Sequence, residues 1–322
     1  METDDACPLE LGVGPFLRRP SLRRSMMLGF AWAALAVAML SGWFVVTRFS
    51  VTRELRIWDI TALRFGIGAI LLAPAVLRRG RWLALAAWPE GLLFMLLWGV
   101  PFVLLVALGL QRTSAAEAAA ITPTLMPVFA GLFARAFLRE EQGRTRWLGY
   151  GAIVAGLVCL VTAGAAAHGA PSPAGLCALA LAAAMWAIYT LLFRRSGLTP
   201  IEAAALICIW SALLFIPAYL LLGLSRLGPA STGEIALQAG YQGVLMSGVA
   251  IVAFNRAVSL LGAAAATAII ALMPAVASIL AIPVLGEAPT PIESIATAII
   301  VIGVLLAAAP APARRLSPIP ES

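Results

Sequence analysis

The sequence predicts an all-α membrane protein: ten transmembrane helices arranged as two inverted five-helix repeats. Three observations predict it. The 322 residues are 62% hydrophobic and 11% charged, with a mean hydropathy of +0.98. Uncharged stretches recur at the length, roughly 20 residues, that carries a helix across a bilayer core. One ungapped shift of the chain against itself superposes Leu125-Met126-Pro127 on Leu272-Met273-Pro274, Glu140 on Glu287 and Gly156 on Gly303.

A soluble domain needs a larger polar surface than this composition supplies. Residues 25–47, 91–111, 118–134, 203–225, 235–255, 257–286 and 294–313 carry no Asp, Glu, Lys or Arg. Residues 147–193 carry none either, and hold two spans with a turn near His168–Pro173. The ten spans are expected at 28–47, 60–77, 90–110, 115–137, 147–165, 174–193, 200–222, 235–255, 262–284 and 292–310. This makes 1–27 an N-terminal tail, 28–165 the first repeat, 174–310 the second and 311–322 a C-terminal tail. No cleavable signal peptide is expected, because the first apolar run is a full span followed by others.

The net charge of +7 is carried by arginine alone. The arginines sit in short clusters between apolar runs, which excludes a nucleic-acid-binding face. They read instead as topology signals. With the N-terminus cytoplasmic, the inner segments hold Arg18, Arg19, Arg23, Arg24, Arg78, Arg79, Arg81, Arg139, Arg144, Arg146, Arg194, Arg195, Arg256, Arg314 and Arg315. The outer segments hold Arg48, Arg53, Arg56, Arg112 and Arg226. The excess on one side places both termini in the cytoplasm and the protein in the inner membrane.

The repeat carries further matches. Ala115–Ala120 meets Gly262–Thr267, and Trp43-x-x-x-Thr47 matches Trp186-x-x-x-Thr190. Five spans per copy is odd, so the second copy enters the membrane inverted. Many carriers use that arrangement to open one central site alternately to each side.

Candidate functional groups are few. Pro127 and Pro274 fall mid-span at corresponding positions, either as tolerated kinks or as bends that open a cavity. Arg64 stands about a turn beyond Asp59. A charge at membrane depth costs about 2.5–3.5 kcal/mol or more, so Arg64 either snorkels to the outer face or lines a solute path. Glu117 is its natural partner, and otherwise an acid favoured by the start of its helix. Trp43, Thr47, Trp98, Tyr189, Tyr241 and Gln242 form the uncharged candidate lining, together with Trp186, Thr190 and Ser247. Such a set suits a small amphipathic solute; any single aromatic could equally belong to the interfacial belt. Gly149, Gly151, Gly156 and Gly303 read as close-packing residues. Cys159, Cys177 and Cys208 read as small core hydrophobes.

Absences bound the chemistry. No G-x-x-x-x-G-K-[ST] loop, H-E-x-x-H or G-x-S-x-G appears, so no ATP motor, metalloprotease or hydrolase site is expected. No metal, cofactor or enzymatic activity is expected. The expected partners are a small-molecule solute and the lipid bilayer, with a monomer or homodimer as the assembly.

These patterns resemble the ten-span EamA-type proteins of the drug/metabolite transporter superfamily. The first half carries Gly42-Trp43, Ala62-Leu63-Arg64-Phe65, Met126-Pro127-Val128 and Glu140 with Gly149. The second carries Trp186-Ala187-x-Tyr189, Phe254-Asn255-Arg256-Ala257, Met273-Pro274-Ala275 and Leu285-Gly286-Glu287. Two positions depart from the family pattern: Arg139 stands where a Gly precedes the first-half Glu, and Ala296 replaces the Gly that follows Glu287. The resemblance implies a secondary transporter of a small metabolite, such as an amino acid, a related compound or a drug, working without ATP by alternating access, most simply as an exporter. Two rival readings are a non-transporting membrane sensor or assembly partner, and a membrane-embedded lipid-modifying enzyme. The first would lack a polar-lined cavity; the second would need clustered carboxylates or histidines at one interface.

Overall fold

A computed structural model describes residues 22–51, 55–77, 87–112, 115–168, 172–285 and 290–307. Everything described is helical or connects helices. The first half contains α1 (Leu22–Val51), α2 (Ile57–Leu77), α3 (Ala87–Trp98), α4 (Val100–Arg112), α5 (Ala115–Leu138) and α6 (Arg144–His168). The second contains α7 (Pro173–Arg195), α8 (Pro200–Leu221), α9 (Thr232–Gln238), a π-helix (Ala239–Ala250), α10 (Ile251–Leu261), α11 (Ala263–Ile270), α12 (Met273–Leu285) and α13 (Pro291–Ala307). Nine of the described helical segments are long and apolar enough to cross a membrane, and α13 is a shorter apolar helix in the tenth position. Spans three, eight and nine are each made of more than one helical piece.

The bundle's outer surface is apolar. Ile70, Phe137, Leu148, Leu221 and Ile279 are mostly exposed, whereas Thr61, Arg64, Gln242 and Asn255 are buried. A water-soluble fold sorts residues the other way round. Cys208 is buried as expected, but Cys177 faces outward into the apolar surface.

The two halves pack with matching partners. Helix α2 packs on α8, and α6 packs on α13; these are the second and fifth spans of each copy against each other. Helix α1 lies against α10 and α12, and its counterpart α7 lies against α4 and α5. Exchanging the halves maps one set of contacts onto the other.

Two sets of contacts fix the direction of the copies. Asp59, at the start of α2, accepts hydrogen bonds from the Tyr219 hydroxyl at the end of α8 (2.6 Å) and from the Arg226 amide (2.8 Å). Its other oxygen accepts the Arg56 amide at 3.0 Å, capping α2. Helices α2 and α8 therefore run antiparallel. At the corresponding position Glu202 caps α8 in a reciprocal box with Thr199.

The second set lies between α6 and α13. A Cβ on Gly149 would stand 2.4 Å from Ala307 N and 2.6 Å from Gly303 O, and one on Gly156 would stand 3.0 Å from Ala296 O. Rising numbers on α6 meet falling numbers on α13, so these helices are antiparallel too. Missing side chains let the backbones touch, which is how helices gain packing energy where lipid supplies no hydrophobic drive. Ala296, one of the two departures from the family pattern, is fully buried on this seam, and its carbonyl faces Gly156. Gly151 faces open space and takes no part, contrary to the expectation for it.

Arg139 explains the other departure. It follows α5 with φ +52°, the left-handed region that Gly enters without penalty. The Glu140 amide then reaches back to Ala134 O at 3.1 Å, which ends the helix.

Gly149→Leu is expected to force α6 from α13 and destabilise the protein by about 1–3 kcal/mol, while Gly151→Ala changes little. Thermal unfolding of both variants in one detergent checks the pair. Arg139→Gly is expected to raise stability by about 1 kcal/mol in the same assay, through relief of the left-handed strain.

Candidate functional site

A narrow void of about 10 Å³, room for about one water, lies between the halves. From the first half it is lined by Leu40, Trp43 and Phe44 of α1, Arg64 of α2, Trp98 and Phe102 flanking the α3–α4 break, and Thr122 of α5. From the second half come Trp186 of α7, Met246 of the π-helix and Met273 of α12. Trp43 and Trp186 are repeat mates, so both copies contribute the same residue type to one wall.

The backbone is irregular where it meets this void. Helices α3 and α4 are separated by a bend at Gly99, two residues before Pro101, whose missing N–H falls in the first turn of α4 and cannot bond back into α3. A Cβ on Gly99 would collide with Met95 O at 2.5 Å and Ser211 Oγ at 2.6 Å. The repeat shift carries Gly99 onto Met246, inside the π-helix. There the ladder has widened, and the Ser247 hydroxyl donates to Arg64 O at 2.7 Å. The third irregularity is at Ala271–Leu272, where the Ala271 amide bonds Thr267 O and Ala268 O and ends α11. Met273 opens α12, and its carbonyl accepts the Ser41 hydroxyl of α1 at 3.2 Å. Non-helical backbone at membrane depth is tolerated where protein or a cavity takes up the released groups.

Pro274 is therefore not inside a helix, as its mid-span position implied. It lies in the first turn of α12, where its missing N–H belongs to a position that has no intrahelical partner anyway. Pro127 is inside the continuous α5, with Pro123, and lines a second hollow of about 20 Å³. That hollow also holds Glu140, Gln142, Tyr150, Arg194 and Thr267.

Arg64 is 2% exposed, which removes the snorkelling alternative. Its guanidinium carbon sits 5.3 Å from the Trp43 ring centre and 5.4 Å from that of Phe65. Its Nε and Nη1 have no hydrogen-bond partner among the described residues, and the same holds for Nε1 of Trp43 and of Trp186.

The sequence candidates divide into two groups. Trp43, Arg64 and Trp98 line the void. Four others stand behind its wall and hold helices together. Tyr189 stacks on Trp98, with ring centres 4.7 Å apart, and its hydroxyl donates to Asn255 Oδ1 at 2.7 Å. Tyr241 donates to Met39 O at 2.8 Å, against Gly42. Gln242 donates to Thr47 Oγ1 at 3.0 Å, tying the π-helix to α1. Glu117 is in the first turn of α5, and its side chain lies outside the described residues, as does Glu287. Phe102, Thr122, Met246 and Met273 were missed. Met273 and Trp186 had a signal in the repeat itself; Phe102 and Met246 are indistinguishable in sequence from other apolar span residues.

Residues 27–162 match the EamA-like transporter family, and residues 173–309 match it again. The chain belongs to the EamA-like transporter family. Members of such a family carry small molecules across membranes, and the apolar helices make this one a multi-pass membrane protein. A probable terminal-alkyne amino-acid exporter of Streptantibioticus cattleyicolor is 29% identical over 197 residues, 59% of this chain and 63% of the relative. The uncharacterized transporter YdfC of Bacillus subtilis is 27% identical over 188 residues, 56% of this chain and 58% of YdfC. The matches thus span about three fifths of each relative. A protein solved by crystallography shares the fold, with a TM-score of 0.66 at 24% identity, covering 88% of this chain and 96% of that one.

In this EamA-like transporter, Tyr189→Phe is expected to cost about 1–3 kcal/mol, because the Asn255 carbonyl is left buried and unpaired. Trp98→Ala is expected to cost about 3–5 kcal/mol, by emptying the aromatic cluster. Unfolding temperatures of the two variants check the order.

Proposed function

We propose that the chain is a secondary carrier of the inner membrane, with both termini cytoplasmic, that exports a small metabolite by alternating access. An amino acid or a compound derived from one is the favoured class. The observation that carries this reading is the void between inverted halves, lined by one Trp from each copy and by backbone that leaves the helical ladder. A solute bound there touches both halves, so rocking one against the other changes which side it faces. The hollow lined by Pro127, Glu140 and Arg194 lies at the end where the arginine-rich segments gather, and serves in this reading as the inner vestibule. The name of the Streptantibioticus cattleyicolor relative supports both the amino-acid class and the direction.

Vesicles reconstituted with purified protein and loaded with a mixture of common amino acids and carboxylic-acid metabolites test the proposal. At least one solute is expected to leave faster than from protein-free vesicles; identical losses across the whole mixture would sink it.

The break at Ala271–Leu272 acts in this reading as the moving joint. Pro274→Ala restores a donor there and favours a continuous helix. It is expected to slow initial efflux by about ten-fold, corresponding to roughly 1.4 kcal/mol on the barrier. Pro127→Ala, in a helix that is already continuous, is expected to change the rate less than two- to three-fold, within the scatter of a conservative change.

A further inference from the structure

The central void presents donors and one positive charge, and among its described lining residues no carboxylate. Arg64 is buried with two nitrogens unpartnered. Trp43 and Trp186 add one unpartnered indole N–H each. Thr122, the remaining polar lining residue, has already given its proton to Leu179 O at 3.2 Å. Asp59, an acid only a turn away on α2, is engaged at both oxygens by Arg56, Tyr219 and Arg226. A buried guanidinium without an acceptor is costly, and so is each orphaned N–H. What is missing is therefore an acceptor, and it must be anionic to compensate the charge. Around it the wall is aromatic and thioether: Trp98, Phe102, Met246 and Met273.

We propose that Arg64, with the indole N–H groups of Trp43 and Trp186, receives the carboxylate of a solute whose remaining body is apolar and packs on Trp98 and Phe102 as the halves part and widen the void. The class is a singly charged amphipathic carboxylate. A free amino group is not required, because no described lining residue offers an ammonium an anionic partner. Arg suits this role because its fork can pair both oxygens of one carboxylate. This deepens the transport reading and rests on it for the site's purpose, but not for the binding chemistry.

The experiment uses the full-length protein in detergent at constant ionic strength, with benzoate, benzamide and benzylamine as probes. These share one ring and differ in a single group. Benzoate is expected to raise the unfolding temperature by about 2–4 °C at saturation; benzamide and benzylamine are not. Arg64→Gln is expected to weaken benzoate binding by about ten-fold or more, since hydrogen bonds to a charged group are the strong ones. Arg64→Lys is expected to fall between the two, keeping the charge and losing the fork. No benzoate-specific rise in the unsubstituted protein overturns the proposal, as does an equal rise with benzylamine or an undiminished rise in Arg64→Gln. The comparison among probes needs only the unsubstituted protein, so it stands even where a variant fails to fold. Benzoate binding together with vesicles that move nothing would reject transport and keep the carboxylate site. Efflux with no probe preference would do the reverse.

Discussion

Hydrocarbon offers no hydrogen bonds, so a helix inside a membrane can abandon its ladder only where something else takes up the freed groups. Three spans do so here, at Gly99, in the Ala239–Ala250 segment and at Ala271–Leu272. All three meet one void, and two of them occupy corresponding positions in the copies. Side chains bond the irregular strips: Ser247 donates to Gln242 O inside the π-helix at 3.1 Å, and Ser41 of α1 donates to Met273 O at the start of α12. The interior thus combines regular, closely seamed pairs with irregular strips that surround a mostly aromatic void holding one buried charge.

The seamed pairs do different work from the chamber. Helices α6 and α13 touch backbone to backbone through Gly149, Gly156 and Gly303. Helices α2 and α8 are tied by Asp59, a buried acid that caps one helix and holds the far end of the other. Both pairs lie on the pseudo-two-fold axis relating the copies. Contacts on such an axis are shared equally by the halves.

Hydropathy alone revealed the spans, because a lipid-facing helix must be apolar over its whole length. The inversion was legible as well, from an odd span count and a repeated Met-Pro. Facing within each span was not. Tyr189, Tyr241 and Gln242 look in sequence like Trp43 and Arg64, as polar or aromatic groups within apolar runs. Only packing sends the first three to bonds with Asn255, Met39 and Thr47 and leaves the other two on the chamber wall. A helical stripe pattern cannot decide this when both lipid and core are apolar. The π-helical widening has no composition signature, and Pro274 misled because it stands in the first turn of a new helix and does not bend a continuous one. Arg139 shows the opposite case: it holds a left-handed backbone that a glycine would adopt without strain.

The copies have diverged in one respect that matters mechanically. Span four is a single rod through Pro123 and Pro127, whereas span nine is two rods meeting at Ala271–Leu272. A dimer of identical halves would rest with equal populations facing either side. In the proposed alternating-access cycle, one stiff arm and one jointed arm would remove that degeneracy, giving the empty protein a preferred posture that cargo levels.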